Sequence, residues 1–426
     1  MLDIKFIREN SDKVKEACAN KNINGGDTIV DQLLDLDIKK RSLMTTLENL
    51  RATQNKFTKS ASAKSSGETM NNIEEAKKNK LEIKTLEPDL QETENKFNEL
   101  LMKLPNIPFD DVPVGKDDSE NVVLRQIGSL PKFNFIPKEH FQIGEELNII
   151  DIERASTVAG SRFYFLKNEA ALLEMALVNF AFSKLAKKGF SPVIPPVMIQ
   201  PKLASGMGYI ENHPDEESYY LERDNLYLTA TSEQSLGAMH HREILDQLPK
   251  KYVAFSTCFR RESGSYGKDT KGIFRVHQFD KMEMFVFSKP EDSEKEHQNL
   301  LAIEEELMKD LKIPYQVINI CTGDLGKSAA RKYDIEAWMP GQNRYRETHS
   351  TSNCTDYQAR GINIKYKDQK NNLNFVHTLN GTAFAMGRII VAILENNQQK
   401  DGSVKIPKVL QKYTRFKVIK LKKILK

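Results

Sequence analysis

Apolar residues return every seven positions in two separate runs near the start of the chain. The first is Leu36, Leu43, Leu50 and Phe57, with Leu33 and Leu47 partly filling the companion position. The second is Ile83, Leu90, Phe97 and Leu104, with Leu86 and Leu100 beside them. Such a repeat makes a continuous stripe only on a helix, where each seventh side chain returns to nearly the same face. The stretch between the runs, TKSASAKSSGET (Thr58–Thr69), is rich in turn formers, so residues 27–104 are predicted to form a helical hairpin. Each arm of about 25 residues extends roughly 37 Å at 1.5 Å per residue. The stripe is too narrow to join a globular core, which predicts a projecting antiparallel coiled coil. The heptads alone fit a dimerisation coiled coil or a spacer equally well. Lys56, Lys59 and Lys64, with no acid before Glu68, point weakly to a polyanionic partner.

The 426 residues allow two or three domains, and 39% hydrophobic with 29% charged residues is a globular balance. A formal net charge of +4 excludes a general polycation, so any nucleic acid must meet local basic patches. Cys18, Cys258, Cys321 and Cys354 lie far apart, with no CxxC pair, which argues against a zinc site or a disulfide framework and for a reducing compartment. The opening MLDIKFIREN has no apolar signal core, and no stretch approaches the roughly 18 apolar residues of a membrane helix. A soluble, cytoplasmic protein without a membrane partner is expected.

LPNIPFDDVPVG (Leu104–Gly115) reads as a proline-punctuated linker. The expected division is an N-terminal domain with its arm over 1–104, a linker over 105–125, a globular domain over 126–411 and a basic tail over 412–426. The tail has seven Lys/Arg and no acid, and is read as solvated or as an auxiliary RNA contact. Glu169–Lys188 is apolar nearly all round, as in a buried helix or one at a subunit interface; Gly189 stops it, and Pro192, Pro195 and Pro196 force an extended segment. Strand-like runs at Leu226–Thr229, Tyr252–Phe259, Ile273–Phe287 and Asn374–Leu379 have short connections, which predicts an α+β domain with a mainly antiparallel sheet. Neither GxGxxG after a strand nor GxxxxGK[ST] is present.

The segment FSTCFRRESGSYGKDTKGIFRVHQFDKMEMFVF (Phe255–Phe287) carries the most chemistry. Read as strand, loop and strand, it puts Arg260 and Glu262 on one face, and Arg275, Phe279 and Glu283 on one face of the second strand, flanked by Gly264, Gly267 and Gly272. Arginine forks suit phosphate oxygens, Phe279 suits a stacked base, and a carboxylate suits an ammonium or an exocyclic amine. The same pattern also fits a solvated sheet face with cross-strand ion pairs.

This segment resembles motif 2 of class II aminoacyl-tRNA synthetases, in the wording of the bacterial-type seryl-tRNA synthetases. GFSPVIPPVM (Gly189–Met198) resembles motif 1, which builds the family's dimer interface, and LTATSEQ (Leu228–Gln234) resembles its serine-binding TxE loop. Residues 321–361 and HTLNGTAFAMGR (His377–Arg388) are similar to the stretch through motif 3, and His140–Lys167 to the opening of the catalytic domain. The likeness runs from Met1 to about Tyr413. It implies serine–tRNA ligase activity: L-serine and ATP give seryl-adenylate and pyrophosphate, and serine then passes to tRNA(Ser) and, where one is present, tRNA(Sec). It also implies Mg²⁺ with the ATP, no zinc, a homodimer, and an arm that reaches the long variable arm of the tRNA.

Residue by residue, the resemblance assigns Arg260 to the α-phosphate, Arg388 to the outer phosphates, Phe279 to the adenine face and Glu262 to its edge. Arg261, Arg275, Val276, Thr348 and His349 complete the ATP set. Glu347 and Ser350 carry the metal, and Arg260, Glu347 and Arg388 are the catalytic group. Thr231, Ser232, Glu233, Arg260 and Glu283 bind serine, with Asn380 and Thr382 closing the pocket. The physics agrees: attack on the α-phosphorus builds negative charge that arginines and a divalent cation stabilise, and no side chain need be a nucleophile. Hydrogen bonds to the serine hydroxyl reject analogues that lack it. His349 and Cys354 are read as packing or loop residues rather than metal ligands.

Three departures stand out. Thr382 replaces the usual serine in a bulkier GTAFAMG context, His349 replaces a small residue, and Gly361 follows Arg360 where a second arginine is typical. Two other readings are a carrier-protein ligase, whose relatives lack the arm, and a non-catalytic scaffold, which would have lost the arginines and carboxylates present here.

Overall fold

The computed structural model describes residues 1–62, 69–209, 218–263, 269 and 271–421. Lys64, Glu68, Gly264, Gly267 and the last five residues of the basic tail lie outside the described residues. The chain divides into two compact units, Leu2–Pro105 and Asn106 onward.

In the first unit, short helices Ile4–Glu9 and Ser11–Asn20 precede two long ones, Gly26–Ser62 and Thr69–Lys103, which pack on each other. At 37 and 35 residues they exceed the heptad runs, because the polar flanks propagate a helix once it is nucleated. Each is therefore over 50 Å long at 1.5 Å per residue, not roughly 37 Å. Leu33 and Leu47 on the first and Phe97 and Leu101 on the second are buried. Further out the seam turns polar: buried Asn79 donates to Leu50 O and Gln54 Oε1, both at 2.9 Å. A buried amide with few alternative partners fixes register at some cost in stability.

The second unit is built on an eight-stranded sheet. In chain order its strands are β1 (Val122–Ile127), β2 (Ser191–Val193), β3 (Lys250–Phe259), β4 (Gln278–Ser288), β5 (Tyr315–Asn319), β6 (Arg331–Met339), β7 (Arg344–Asn353) and β8 (His377–Ala385). Their spatial order is β1-β5-β6-β7-β8-β4-β3-β2, and all neighbours are antiparallel except β2 and β3. This is the α+β, mainly antiparallel architecture expected. Helices Asn168–Ala186, Ser293–Leu311 and Met386–Asn396 share one apolar core with inward residues of β4, β5, β6 and β8, such as Met284, Tyr333, Ile335 and Phe384. Alternation then leaves polar residues of β4, β7 and β8 on the other face. No helix among the described residues is long and apolar enough to cross a membrane.

Several expectations need correction. The first motif strand ends at Phe259 and the second starts at Gln278 rather than Ile273, so neither Arg260 nor Arg275 is on a strand, and Glu262 has φ +54°. Residues 105–125 are not a free linker. Asn106 donates to Ser328 O and Cys354 O at 2.9 Å, Val112 is buried against Leu325 and Ala329, and 122–127 form a sheet strand. The described part of the basic tail also folds: Val418–Ile419 pairs with Val404–Lys405, and Ile419 is buried. Helix Asn168–Ala186 buries one face, leaving Leu172 and Met175 about half exposed at 55% and 46%.

Candidate active site

The polar face of β4, β7 and β8 forms the floor of a cleft of about 450 Å³. Strand alternation brings Phe279, Lys281 and Glu283 from β4, and Asn380 and Thr382 from β8, to the same side. β7 needs more than alternation, because Glu347 and Ser350 are three apart and a regular strand would turn them to opposite faces. A β-bulge opposite Ile335 and Glu336 makes Thr348 the extra residue, so both line the cleft.

One end holds two buried carboxylates. Glu233 Oε1 accepts from Asn380 Nδ2 at 3.0 Å and from Gln358 Nε2 at 2.8 Å, and Thr378 Oγ1 fixes Gln358 by donating to its Oε1 at 2.7 Å. Burial, and secondarily Glu283, push the Glu233 carboxyl upward, while hydrogen bonds from Tyr209 and Gln358 resist. Glu283 Oε2 accepts from Thr382 Oγ1 at 3.1 Å and pairs with Lys281 Nζ at 2.7 Å. Thr231 caps the helix Ser232–Ala238 by accepting the Glu233 N–H at 3.3 Å, which aims Glu233 into the cleft.

The other end is cationic and aromatic. Arg260 Nε donates to Ala230 O at 3.3 Å, and its guanidinium lies 5.2 Å over the Phe279 ring. Glu262 pairs with Arg275. Arg388, in the first turn of helix Met386–Asn396, donates to Glu347 O at 3.2 Å and pairs with Glu347 Oε1 at 3.1 Å. The Glu347 side chain remains 45% exposed in the open cleft. Its desolvation is outweighed by Arg388, Lys332 and Arg260, which hold the carboxyl well below the usual range, at about 2. Beneath it Asp334 is pushed up, mainly by burial, with Lys332 opposing and Glu347 reinforcing.

Of the residues singled out from sequence, Thr231, Glu233, Arg260, Glu262, Arg275, Val276, Phe279, Glu283, Glu347, Thr348, Ser350, Asn380, Thr382 and Arg388 line this one cleft. Ser232, Arg261 and His349 do not. Ser232 is buried at the start of its helix. Arg261 turns away to Ser218 O at 3.1 Å and the Tyr219 ring. His349 points into the core beside Phe384, with Nδ1 2.9 Å from Thr348 Oγ1, and burial lowers its pKa to about 4. Cys354 is buried, with Sγ 3.8 Å from Ser328 Oγ. Gly361 has a steric reason: a Cβ there would meet Gly206 O at 1.9 Å, so no arginine fits.

Sequence reasoning missed Lys281, which shares the alternation of Phe279 and Glu283 and could have been found by it. Tyr209, Phe274, Lys332 and Gln358 carried no local signal. Phe274 lies between two guanidiniums, 3.8 Å from Arg346 and 4.9 Å from Arg388.

Comparison with known proteins agrees with this geometry. Residues 1–108 match the family model for the seryl-tRNA synthetase N-terminal domain. Residues 219–397 match that for the tRNA synthetase class II core domain (G, H, P, S and T). The serine–tRNA ligase of Thermobifida fusca is 46% identical over 97% of both chains. The seryl-tRNA synthetase of Pyrococcus horikoshii, solved with ATP, superposes with a TM-score of 0.92 at 44% identity, covering 99% of this chain and 100% of that one. The cytoplasmic serine–tRNA ligase of Naegleria fowleri, solved with AMP, gives 0.86 at 34% identity over 99% of both. With heptad arm, antiparallel sheet and cleft all in agreement, this chain belongs to the seryl-tRNA synthetase family of class II aminoacyl-tRNA synthetases.

Proposed function

We propose a division of labour within the cleft for the serine–tRNA ligase reaction, in which the carboxylate end takes serine and the arginine end takes ATP. The observation that carries it is the pair Glu233 and Glu283, both buried, both hydrogen-bonded by β8 side chains, and open to one cleft with Arg260, Arg388 and Phe279. Two carboxylates and Thr231 suit the ammonium and hydroxyl of serine. Arg260, held over Phe279 and bonded to Ala230 O next to Thr231, takes the serine carboxylate and the α-phosphate together. Phe279 stacks the adenine, Glu262 contacts its edge, and Arg275 and Arg388 take the outer phosphates.

Activation then needs little more than alignment. The serine carboxylate attacks the α-phosphorus in line and pyrophosphate leaves, with Arg260 and Arg388 placed where charge develops. The 3′-terminal ribose hydroxyl of the tRNA next attacks the carbonyl of the mixed anhydride, and AMP leaves. A Mg²⁺ shared with substrate phosphates needs only one or two protein carboxylates, and Glu347, held ionised and open to the cleft beside Ser350, fits that role. Such an ion neutralises phosphate charge and orients the leaving group.

The half-exposed apolar side chains Leu172 and Met175 support burial of helix Asn168–Ala186 against a second copy in a homodimer. The arm supports recognition of tRNA(Ser) by shape. Serine-dependent exchange of labelled pyrophosphate into ATP, compared with alanine, threonine and cysteine, tests the cleft assignment. Exchange with serine alone, reduced at least a hundredfold by Arg260→Ala, is expected. Exchange indifferent to Arg260, or preferring another amino acid, would overturn it.

A further inference from the structure

We propose that His140 is a positioning residue for the ATP end of the cleft, where with Glu395 it ties the segment 272–276 to the helix that carries Arg388. His140 opens the helix His140–Glu146 and is buried. Its Nε2 accepts the Ile273 backbone N–H at 3.1 Å. An accepting Nε2 has no proton, so the ring proton sits on Nδ1 and is donated to Glu395 Oε1 at 3.2 Å. Glu395 is completely buried on helix Met386–Asn396, and it also accepts the backbone N–H groups of His140 at 3.1 Å and Gly341 at 2.9 Å. Three chain segments and the arginine helix therefore meet at one imidazole–carboxylate pair.

The packing leaves the tie little freedom. Gly272 has φ +81°, and a Cβ on it would lie 1.9 Å from His140 Nε2. A Cβ on Gly387 would likewise lie 2.8 Å from Ile273 O. Ile273 is thus held at its N–H by the imidazole and at its C=O against the first turn of the helix bearing Arg388. The residues that follow it, Phe274, Arg275 and Val276, line the cleft. His140 does not line it, and sets the spacing between two of its walls through the backbone. Positioning of this kind acts on ATP and not on serine, whose proposed pocket at Glu233 and Glu283 belongs to other elements. The inference rests on the reading that 274–279 and Arg388 hold ATP.

Pyrophosphate exchange with the full chain separates the two. His140→Phe keeps a ring of similar size but removes both hydrogen bonds, leaving a buried N–H and a buried carboxylate each short of a partner. It is expected to raise the KM for ATP about tenfold, with the KM for serine within twofold. His140→Gln, whose amide can accept from Ile273 and donate to Glu395, is expected to restore the ATP KM to within threefold. If the Phe variant does not fold, His140→Asn, a shorter amide, takes its place with the same expected ATP-selective loss. An unchanged ATP KM, a parallel rise in both KM values, or a Gln variant no better than the Phe variant would overturn the role. Arg388→Ala and Phe279→Ala serve as controls: if neither moves the ATP KM, the failure lies with the assignment of the ATP end and not with His140.

Discussion

Replacing Glu304 with methionine is expected to stabilise the protein, and more so at pH 8 than at pH 6. Helix Ser293–Leu311 carries Glu304 into the core, where it is 0% exposed. Neither carboxyl oxygen has a hydrogen-bond partner among the described residues. Gly381 lies against it: a Cβ there would come within 3.0 Å of Glu304 Oε1. Burial, reinforced by Glu283, Asp334 and Glu305 and opposed by Lys281, pushes the carboxyl well above 4.5. The folded chain therefore keeps a proton that the unfolded chain releases above about pH 4.5. The group's contribution is most favourable below that pH and declines as pH rises. The decline reaches about 1.4 kcal/mol per pH unit while the folded carboxyl stays protonated.

Methionine is similar in volume and unbranched, so it removes the titration and the unpartnered polar group without opening a cavity. Burying such a group costs about 1–3 kcal/mol. The expected gain starts from that size. The loss accrued above pH 4.5 adds up to about 2 kcal/mol to it by pH 6, and the gain grows by up to about 1.4 kcal/mol per further pH unit. Urea unfolding at pH 6, 7 and 8, followed by fluorescence of the single tryptophan, Trp338, reads the sheet directly. A variant no more stable than its parent at pH 8, or one with the same decline between pH 6 and 8, would refute the reasoning.

Thr382→Val keeps the shape of the pocket but removes the hydroxyl that donates to buried Glu283; the discrimination between serine and alanine in exchange should fall about tenfold or more. Asn79→Leu removes the buried amide of the arm, and thermal unfolding of the helical signal should shift upward; a downward shift would mean the amide is a net stabiliser. Arg331, buried and paired with Asp111 and Glu294, should cost about 1.5 kcal/mol when changed to Met, because both carboxylates remain partly solvated. Deleting residues 31–101 should leave pyrophosphate exchange intact and abolish tRNA charging, whereas loss of both would argue against a separate RNA-binding arm.

The sequence by itself determined the features that repeat locally. Seven-residue periodicity in two runs, with a turn-rich stretch between them, gave two helices each needing a partner for its stripe, Leu33 and Leu47 on one and Phe97 on the other, all three buried. Alternation likewise put Phe279 and Glu283 on one face, and the order of motifs identified the family. Other features depended on contacts between distant segments. The bulge that turns Glu347 and Ser350 to the same side is set by pairing with β6, and nothing in ETHS announces it. The same pairing sends His349 into the core. Residues 105–125 read as a linker because prolines punctuate their first half, yet Asn106 and Val112 find partners more than 200 residues away. His140, Gln358 and Gly361 carry no periodic signal, because hydrogen bonds and close backbone approaches across the fold have no period. Local pattern follows from the geometry of one helix or strand, whereas a site assembled from several must wait for the chain to bring them together.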